Sequence, residues 1–469
     1  MAEFELLIDG KSVATSDHFP VINPSTGGTA GLCPVATPAH VEQAVAAAAR
    51  AFESWSRVPD EERKVACRAV ADKINANADE LARLLTAEQG KPLGGMGSRF
   101  ELGGAEAWAR ATAELDIPVD TIQNEGPTRI EVHRKPVGVV VSITPWNWPL
   151  MIAVWHVLPA LRSGNTVVIK PSPLTPLSTL RMIRYMAEAL PPGVLNVVAG
   201  HDDIAPLLTA HPSVAKVVFT GSTETGRKVM ASGAATLKRL TLELGGNDAG
   251  IVLPDVEPKA IAERLFWGAF INNGQTCAAL KRLYVHDSVY DAVCGALTDY
   301  AKTVKVGDGQ DESNQLGPIQ NAMQFAKVKD MVEEALAKGA KPLVGGLPPE
   351  GQQGYFFPIT LLAEAKDGMQ IVDQEQFGPA LPIIRYSDID DVIARANSSE
   401  NGLGGSVWSS DPDKAWALAS RLECGTAWVN RHSDIRPDVP FGGVKASGIG
   451  VEFGLYGLDE YTTIQVLHR

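Results

Sequence analysis

Basic residues are in deficit. Lys and Arg number 42 against 55 Asp and Glu, a formal net charge of −13, so the surface has no general field that would attract nucleic acid or an anionic membrane. Cysteine is scarce as well. Cys33, Cys67, Cys277, Cys294 and Cys424 are odd in number and scattered, which excludes a disulfide framework and leaves no CxxC pair for zinc. No metal is expected, and the compartment reads as reducing. No stretch approaches the about 18 uninterrupted apolar residues of a membrane span, and Met1-Ala2-Glu3-Phe4-Glu5 puts acids where a signal peptide carries basic residues. The expectation is a cytoplasmic protein with neither nucleic acid nor membrane as partner. The common dinucleotide fingerprint GxGxxG is also missing.

What is present points to a large globular chain. A length of 469 residues exceeds one ordinary core of ~100–200 residues, so two large domains are expected, with room for a cleft between them. Thr37 as N-cap, Pro38 in the first turn, and Val41, Ala44, Val45, Ala48, Phe52 and Trp55 at helical spacing predict an amphipathic helix. Short β-branched runs then follow at 137–143, 166–169, 195–198, 216–219 and 240–244, most of them separated by helical segments. Near-continuous apolar strands alternating with helices signal an α/β fold, a parallel sheet covered on both faces. A second α/β segment runs from about 248 to 441, with apolar runs at 266–271, 284–286, 381–384, 405–408 and 427–430. The tail at 458–468 reads as a strand that needs an edge to pair with, and another subunit can supply that edge.

Four segments carry candidate chemistry, and each has a plain alternative. Phe219-Thr220-Gly221-Ser222-Thr223-Glu224-Thr225-Gly226 is a strand running into a glycine-bounded turn and a helix; this suits a pyrophosphate at a helix N-terminus, or is an ordinary strand-to-helix turn. Cys277, among small neighbours in Asn273-Gly274-Gln275-Thr276-Cys277-Ala278, is an approachable thiol or an inert core residue. Glu243 ends an apolar strand before Gly245-Gly246; it sits at the sheet rim, exposed or held for chemistry. Asn147, between two tryptophans and two prolines in Pro145-Trp146-Asn147-Trp148-Pro149, is a stiff turn or a preorganised oxyanion donor.

Together and in this order these segments resemble the aldehyde dehydrogenase superfamily, over essentially the whole chain. Lys170-Pro171-Ser172, Glu375-Gln376-Phe377-Gly378-Pro379 and Pro440-Phe441-Gly442-Gly443 with Lys445 and Ser447-Gly448 add to the likeness. The resemblance implies NAD(P)-dependent oxidation of an aldehyde, a small-molecule partner, to its acid, with water as acyl acceptor. Cys277 matches the nucleophile, Glu243 the general base and Asn147 the oxyanion donor. For the cofactor it implies Ile143, Thr144, Pro145, Trp146 and Ser172, with Lys170 at the adenosine ribose, Gly221 and Ser222 at the pyrophosphate, and Glu375 with Phe377 at the nicotinamide riboside and ring. Where NAD-selective relatives carry a glutamate, this chain has Pro173, so NAD or NADP is expected, with a lean to NAD.

For the substrate the likeness points to Trp148, Leu150, Met151 and Trp155 on one wall, Thr276 beside the nucleophile, and the loop 431–437 opposite. That lining predicts an apolar or aromatic aldehyde; Arg431, His432 and Arg436 would instead suit the carboxylate of a semialdehyde. A CoA-acylating enzyme is the other alternative, disfavoured by the acid at Glu243. The implied architecture is a variant Rossmann cofactor domain (1–117 and 137–247), a catalytic domain (248–443), and an oligomerisation element with the C-terminal segment (118–136 and 444–469). A homodimer or homotetramer follows from the same likeness.

Overall fold

The computed structural model describes residues 4–469; the reading of Met1-Ala2-Glu3 lies outside them. Two α/β sheets form its framework. The first has eight strands, and its five central ones, Leu195–Val197, Thr166–Lys170, Val139–Ile143, Val214–Thr220 and Arg239–Glu243, lie side by side and parallel. Every residue of Val139–Ile143 and of Thr166–Lys170 is buried, because helices cover both faces. Such strands carry no polar alternation and read in sequence as unbroken apolar runs.

From Val139–Ile143 the chain adds strands first on one side and then, from Val214–Thr220, on the other. The strand order therefore reverses between these two strands, and the crevice beyond their carboxyl ends is where open α/β sheets take ligands. Ile143 and Thr220 face it.

The second sheet has seven strands, ordered Lys341–Val344, Thr360–Ala365, Ala380–Tyr386, Leu280–His286, Asp248–Val252, Gly404–Trp408 and Thr426–Val429. All its neighbours are parallel except the first pair. The apolar run 266–271 does not join it. That run ends the helix Pro258–Phe270, which opens with proline in its first turn, and a short apolar run has no period that separates a buried strand from a buried helix. The helix Pro38–Trp55 forms as its spacing predicts, with Thr37 accepting from the His40 N–H.

The tail differs from the sequence reading at its start. Residues 454–459 are helical, and the strand starts at Thr462. One of its edges pairs along its whole length with Thr128–Pro136 of the same chain, Asp120–Glu125 completes a three-stranded antiparallel sheet, and its outer edge is open. Gly448–Ile449, in the same C-terminal segment, returns to the first sheet and pairs with Arg239–Glu243. No helix among the described residues is long and apolar enough to cross a membrane.

Two buried acids set the helices that frame the crevice. Glu101 accepts from the N–H groups of Leu150 and Met151 at the start of the helix Pro149–Arg162, at 2.8 and 3.1 Å. Glu88 accepts from the Leu177 and Ser178 N–H groups at 2.7 and 2.8 Å, opening the helix Leu177–Ala187 that follows the Lys170 loop. Burial nevertheless pushes the Glu88 carboxyl up to about 7. A carboxyl raised on folding favours the native state while protonated, and that share is lost as pH climbs from the ordinary range through the raised value. Between about pH 5 and about pH 8, wild type should therefore lose roughly 3 kcal/mol of stability relative to Glu88→Gln, which cannot ionise; denaturation of both at the two pH values measures it.

Candidate active site

The chain passes from the first sheet to the second through Leu244-Gly245-Gly246-Asn247, and three groups converge on this crossing. Glu243 closes the last parallel strand of the first sheet, 3% exposed, with neither carboxylate oxygen hydrogen-bonded. Burial, and then the charge of Glu452, hold its carboxyl well above the usual carboxylate range. A side chain on Gly245 would meet Glu375 Oε2 at 2.5 Å, and one on Gly246 would meet the Cys277 carbonyl oxygen at 2.6 Å. The two glycines thus let Glu375 and the Cys277 backbone close on the crossing from either side, and the Gly246 N–H donates to Glu375 Oε1 at 3.1 Å.

Cys277 follows a backbone turn at Asn272, Asn273 and Gly274, all left-handed, with φ of 51°, 59° and 69°. Two consecutive non-glycine residues in that region store strain, and side chains hold it. Asn272 Nδ2 donates to the Asn147 carbonyl at 2.8 Å, Gln275 Nε2 to the Asn272 carbonyl at 3.0 Å, and Asn273 Nδ2 to the Gly317 carbonyl. The thiol is half-buried. Burial pushes it up to about 12; Lys281 opposes that shift, and Glu243, Glu375 and Asp248 add to it.

Asn147 is 3% exposed and its Nδ2 donates to the Gln275 carbonyl at 2.9 Å, one turn of chain before the thiol. An amide nitrogen carries two protons, so one anchors the side chain and the other stays available. Its backbone carbonyl is gripped by Lys91 Nζ at 2.7 Å, and Lys91, paired with Glu101, also lies 3.6 Å over the Trp148 ring. Trp148 Nε1 donates to Thr276 Oγ1 at 2.9 Å. Trp148, Met151 and Trp155 form one apolar cluster with Trp428, Phe441 and Phe453, and Trp108, Ile435 and Cys277 pack against it. Leu150 instead packs in the core of the first sheet.

His432 departs from its expected place. Its side chain has no exposure; Nδ1 meets Ser406 Oγ at 2.9 Å and Nε2 lies 3.5 Å from Asp248. From a loop after the last strand it packs against the second sheet, where Ser406 meets one ring nitrogen while the buried Nε2 has no hydrogen-bond partner. Arg431 and Arg436 are exposed and pair with Asp434 and Asp438 beside them in sequence.

The crevice at the strand-order reversal holds the remaining candidates. Ile143 ends its strand, and the Thr144 hydroxyl is buried without a partner. Pro145 leads to Trp146, whose ring meets Phe377 edge-on at 5.3 Å. Lys170 Nζ, buried, is 3.3 Å from Asp202, and Ser172 Oγ accepts from the Leu174 N–H. The Gly221 N–H donates to the Glu243 carbonyl at 3.0 Å, and Ser222 caps the helix Thr223–Gly233. An orphaned hydroxyl, a capped helix start and a carboxylate at the glycine crossing suit a dinucleotide laid along these strand ends.

Sequence reasoning missed a second buried acid. Glu452, 2% exposed, faces Glu243 electrostatically and lies 3.1 Å from His156 Nε2, which bonds Thr220 Oγ1 while Nδ1 meets Ser142 Oγ. Nothing in its local sequence marks it. Lys281 was also missed, although a lysine at the start of the apolar strand Leu280–His286 is an unusual charge to bury.

The family model described as "Aldehyde dehydrogenase family" matches residues 12–467. The chain is 40% identical to a phenylacetaldehyde dehydrogenase of Pseudomonas fluorescens, covering 99% of this chain and 95% of that protein. Among solved structures, a betaine aldehyde dehydrogenase of Staphylococcus aureus in complex with NAD+ superposes with a TM-score of 0.94 at 34% identity, over 99% of this chain and 94% of that one. An NADP-dependent enzyme of E. coli gives 0.96 at 36% identity, over 100% and 98%.

The crossing itself makes a testable demand. Gly246→Ala drives a methyl group into the Cys277 carbonyl, and overpacking of this kind costs on the order of 1–3 kcal/mol. The expected result is a lower melting temperature together with an altered rate of Cys277 labelling by iodoacetamide, both measured on the purified variant.

Proposed function

The chain belongs to the aldehyde dehydrogenase family and is an NAD(P)-dependent aldehyde dehydrogenase, and within that activity we propose that Cys277, Glu243 and Asn147 carry the chemistry on an apolar or aromatic aldehyde. The observation that carries this reading is the meeting of a half-buried thiol with a buried, unpartnered carboxylate and an anchored amide.

Cys277 Sγ adds to the aldehyde carbon, and the oxygen becomes an oxyanion taken up by Asn147 Nδ2 and the Cys277 N–H. A thiol raised to about 12 needs a base, and Glu243, itself raised, is better matched to that proton than an ordinary carboxylate. When bound, NAD(P)+ accepts the hydride that leaves the tetrahedral carbon. Collapse leaves a thioester on Cys277. Once Glu243 has passed the thiol's proton to solvent, it takes a proton from water, whose oxygen attacks the thioester; the acid leaves and Cys277 regains its sulfur as the leaving group. The presence of this base supports water over CoA as acyl acceptor.

The aromatic wall of Trp108, Trp148, Trp155, Phe441 and Phe453 favours an apolar substrate over a semialdehyde. The phenylacetaldehyde dehydrogenase relative supports the same class. We read NAD+ as the preferred cofactor because Asp202, exposed beside Lys170, sets a negative charge next to the lysine that would hold the adenosine ribose. We also read 1–117 with 137–247 as the cofactor domain and 248–443 as the catalytic domain. The sheet drawn from 118–136 and 444–469 would be the surface of a homodimer or homotetramer; its exposed Ile122, Ile464, Val466 and Leu467 support that.

Cys277→Ala should abolish aldehyde oxidation while dinucleotide binding persists. Glu243→Gln should slow steady turnover by ~10²–10⁴-fold and leave an initial burst of NAD(P)H, with the acyl group found on Cys277 by mass spectrometry. Retained turnover in either variant refutes its assignment. In a panel run with and without CoA, phenylacetaldehyde should exceed succinic semialdehyde in kcat/KM, with no CoA dependence. Asp202→Ser should raise NADP+ use relative to NAD+ by up to roughly tenfold, the effect of one partly screened charge.

A further inference from the structure

Lys281 is a buried lysine that makes two hydrogen bonds and one ion pair. Nζ donates to the Thr276 carbonyl at 2.9 Å and to the Cys277 carbonyl, and lies 3.3 Å from Glu375 Oε1. A lysine side chain has three donors and no acceptor; two are spent on the loop backbone, and Glu375 stands within ion-pair distance. Two partners are the backbone of the thiol-bearing loop, and the third is the carboxylate proposed for the nicotinamide riboside. Glu375 is itself held at the glycine crossing by the Gly246 N–H, and Lys327 Nζ bonds its backbone carbonyl at 2.8 Å.

We propose that Lys281 is a positioning residue that couples Glu375 to Cys277, so that the reactivity of the thiol responds to the dinucleotide site. The proposal rests on the assignments of Cys277 and Glu375 made above. Its physical basis is the charge balance around the sulfur. Glu243 at its strand end, Glu375 on its loop and Asp248 at the start of the second sheet all oppose a thiolate; Lys281 favours it, and Lys327 stands on the far side of Glu375. Ribose hydroxyls that donate to Glu375 draw off part of its negative charge. The attraction of Lys281 for Glu375 then weakens, and more of its field acts on the sulfur.

Cys277 alkylation by iodoacetamide, followed by mass spectrometry as a function of pH with and without dinucleotide, tests this on the whole protein. NADH is the probe, because its ring carries no positive charge of its own. In wild type, NADH should shift the alkylation profile to lower pH and raise the rate severalfold near neutral pH. In Lys281→Met the profile of the free protein should move to higher pH, with alkylation at least tenfold slower at neutral pH, and NADH should change it by less than twofold. Lys281→Arg should restore part of the response. Glu375→Gln, which leaves Lys281 in place, should give the free protein the fast profile seen with NADH in wild type; this arm holds even if Lys281→Met fails to fold.

A wild-type NADH response in Lys281→Met, no response in wild type, or an unchanged profile in Glu375→Gln overturns the proposal. The readout is alkylation rather than turnover, so it stays separate from the nucleophile assignment, which fails only if Cys277→Ala remains active.

Discussion

The site depends on how little room the chain has where it leaves one sheet for the next. Between Glu243 and Asp248 it must pass from the last parallel strand of the first sheet to a central strand of the second, and two residues of that passage have neighbours where a Cβ would stand. Glycine at 245 and 246 is what lets Glu375 approach from one side and the Cys277 carbonyl from the other. Glu243, the thiol and Glu375 come together because the backbone between them has no side chains to keep them apart.

Bringing them together concentrates negative charge in a place poor in water. Glu243 has no hydrogen-bond partner and feels Glu452, while Glu375 and Asp248 stand close enough to the sulfur to oppose its ionisation. In such surroundings a carboxyl keeps its proton to higher pH and a thiol does the same. The proton inventory of the crevice is therefore shared, and groups that do not touch the sulfur still bear on it. His156 stands between Ser142, Thr220 and Glu452, and Lys281 is the buried lysine set directly against the thiol-bearing loop. The strained turn at Asn272 and Asn273 is fixed by three side-chain amides, so the thiol is held by structure rather than by its own contacts.

A different pair holds the opposite wall. Lys91 and Glu101 are wholly buried; one grips the Asn147 carbonyl and the other the N–H groups that start the helix Pro149–Arg162. The cost of burying two charges is offset by the hydrogen bonds each completes, and the result is a turn whose amide and indole have fixed places. The aromatic cluster beyond it follows from the same helix, since Trp148, Met151 and Trp155 lie on its start and first turns.

Much of this was legible before any coordinates. The parallel strands at 139–143, 166–170 and 239–243 announced themselves as unbroken apolar runs, because a sheet covered on both faces leaves no polar positions; Thr37 and Pro38 marked a helix start because an N-cap and a first-turn proline are local demands. Cys277, Glu243 and Asn147 stood out for the same reason, each set among glycines, prolines or small residues that a sequence displays directly. Long-range partners do not write themselves into local sequence. The run 266–271 was helical because the surrounding layers buried it as a helix, the tail found one of its two edges in Thr128–Pro136, and His432 lies against Ser406 and Asp248 from distant strands. Glu452, His156 and Lys281 acquire meaning only from neighbours far along the chain. Local sequence determined the strands, caps and reactive side chains through short-range sterics and periodicity; only tertiary structure decided which charges share a dry space, because that depends on packing between segments the chain keeps far apart.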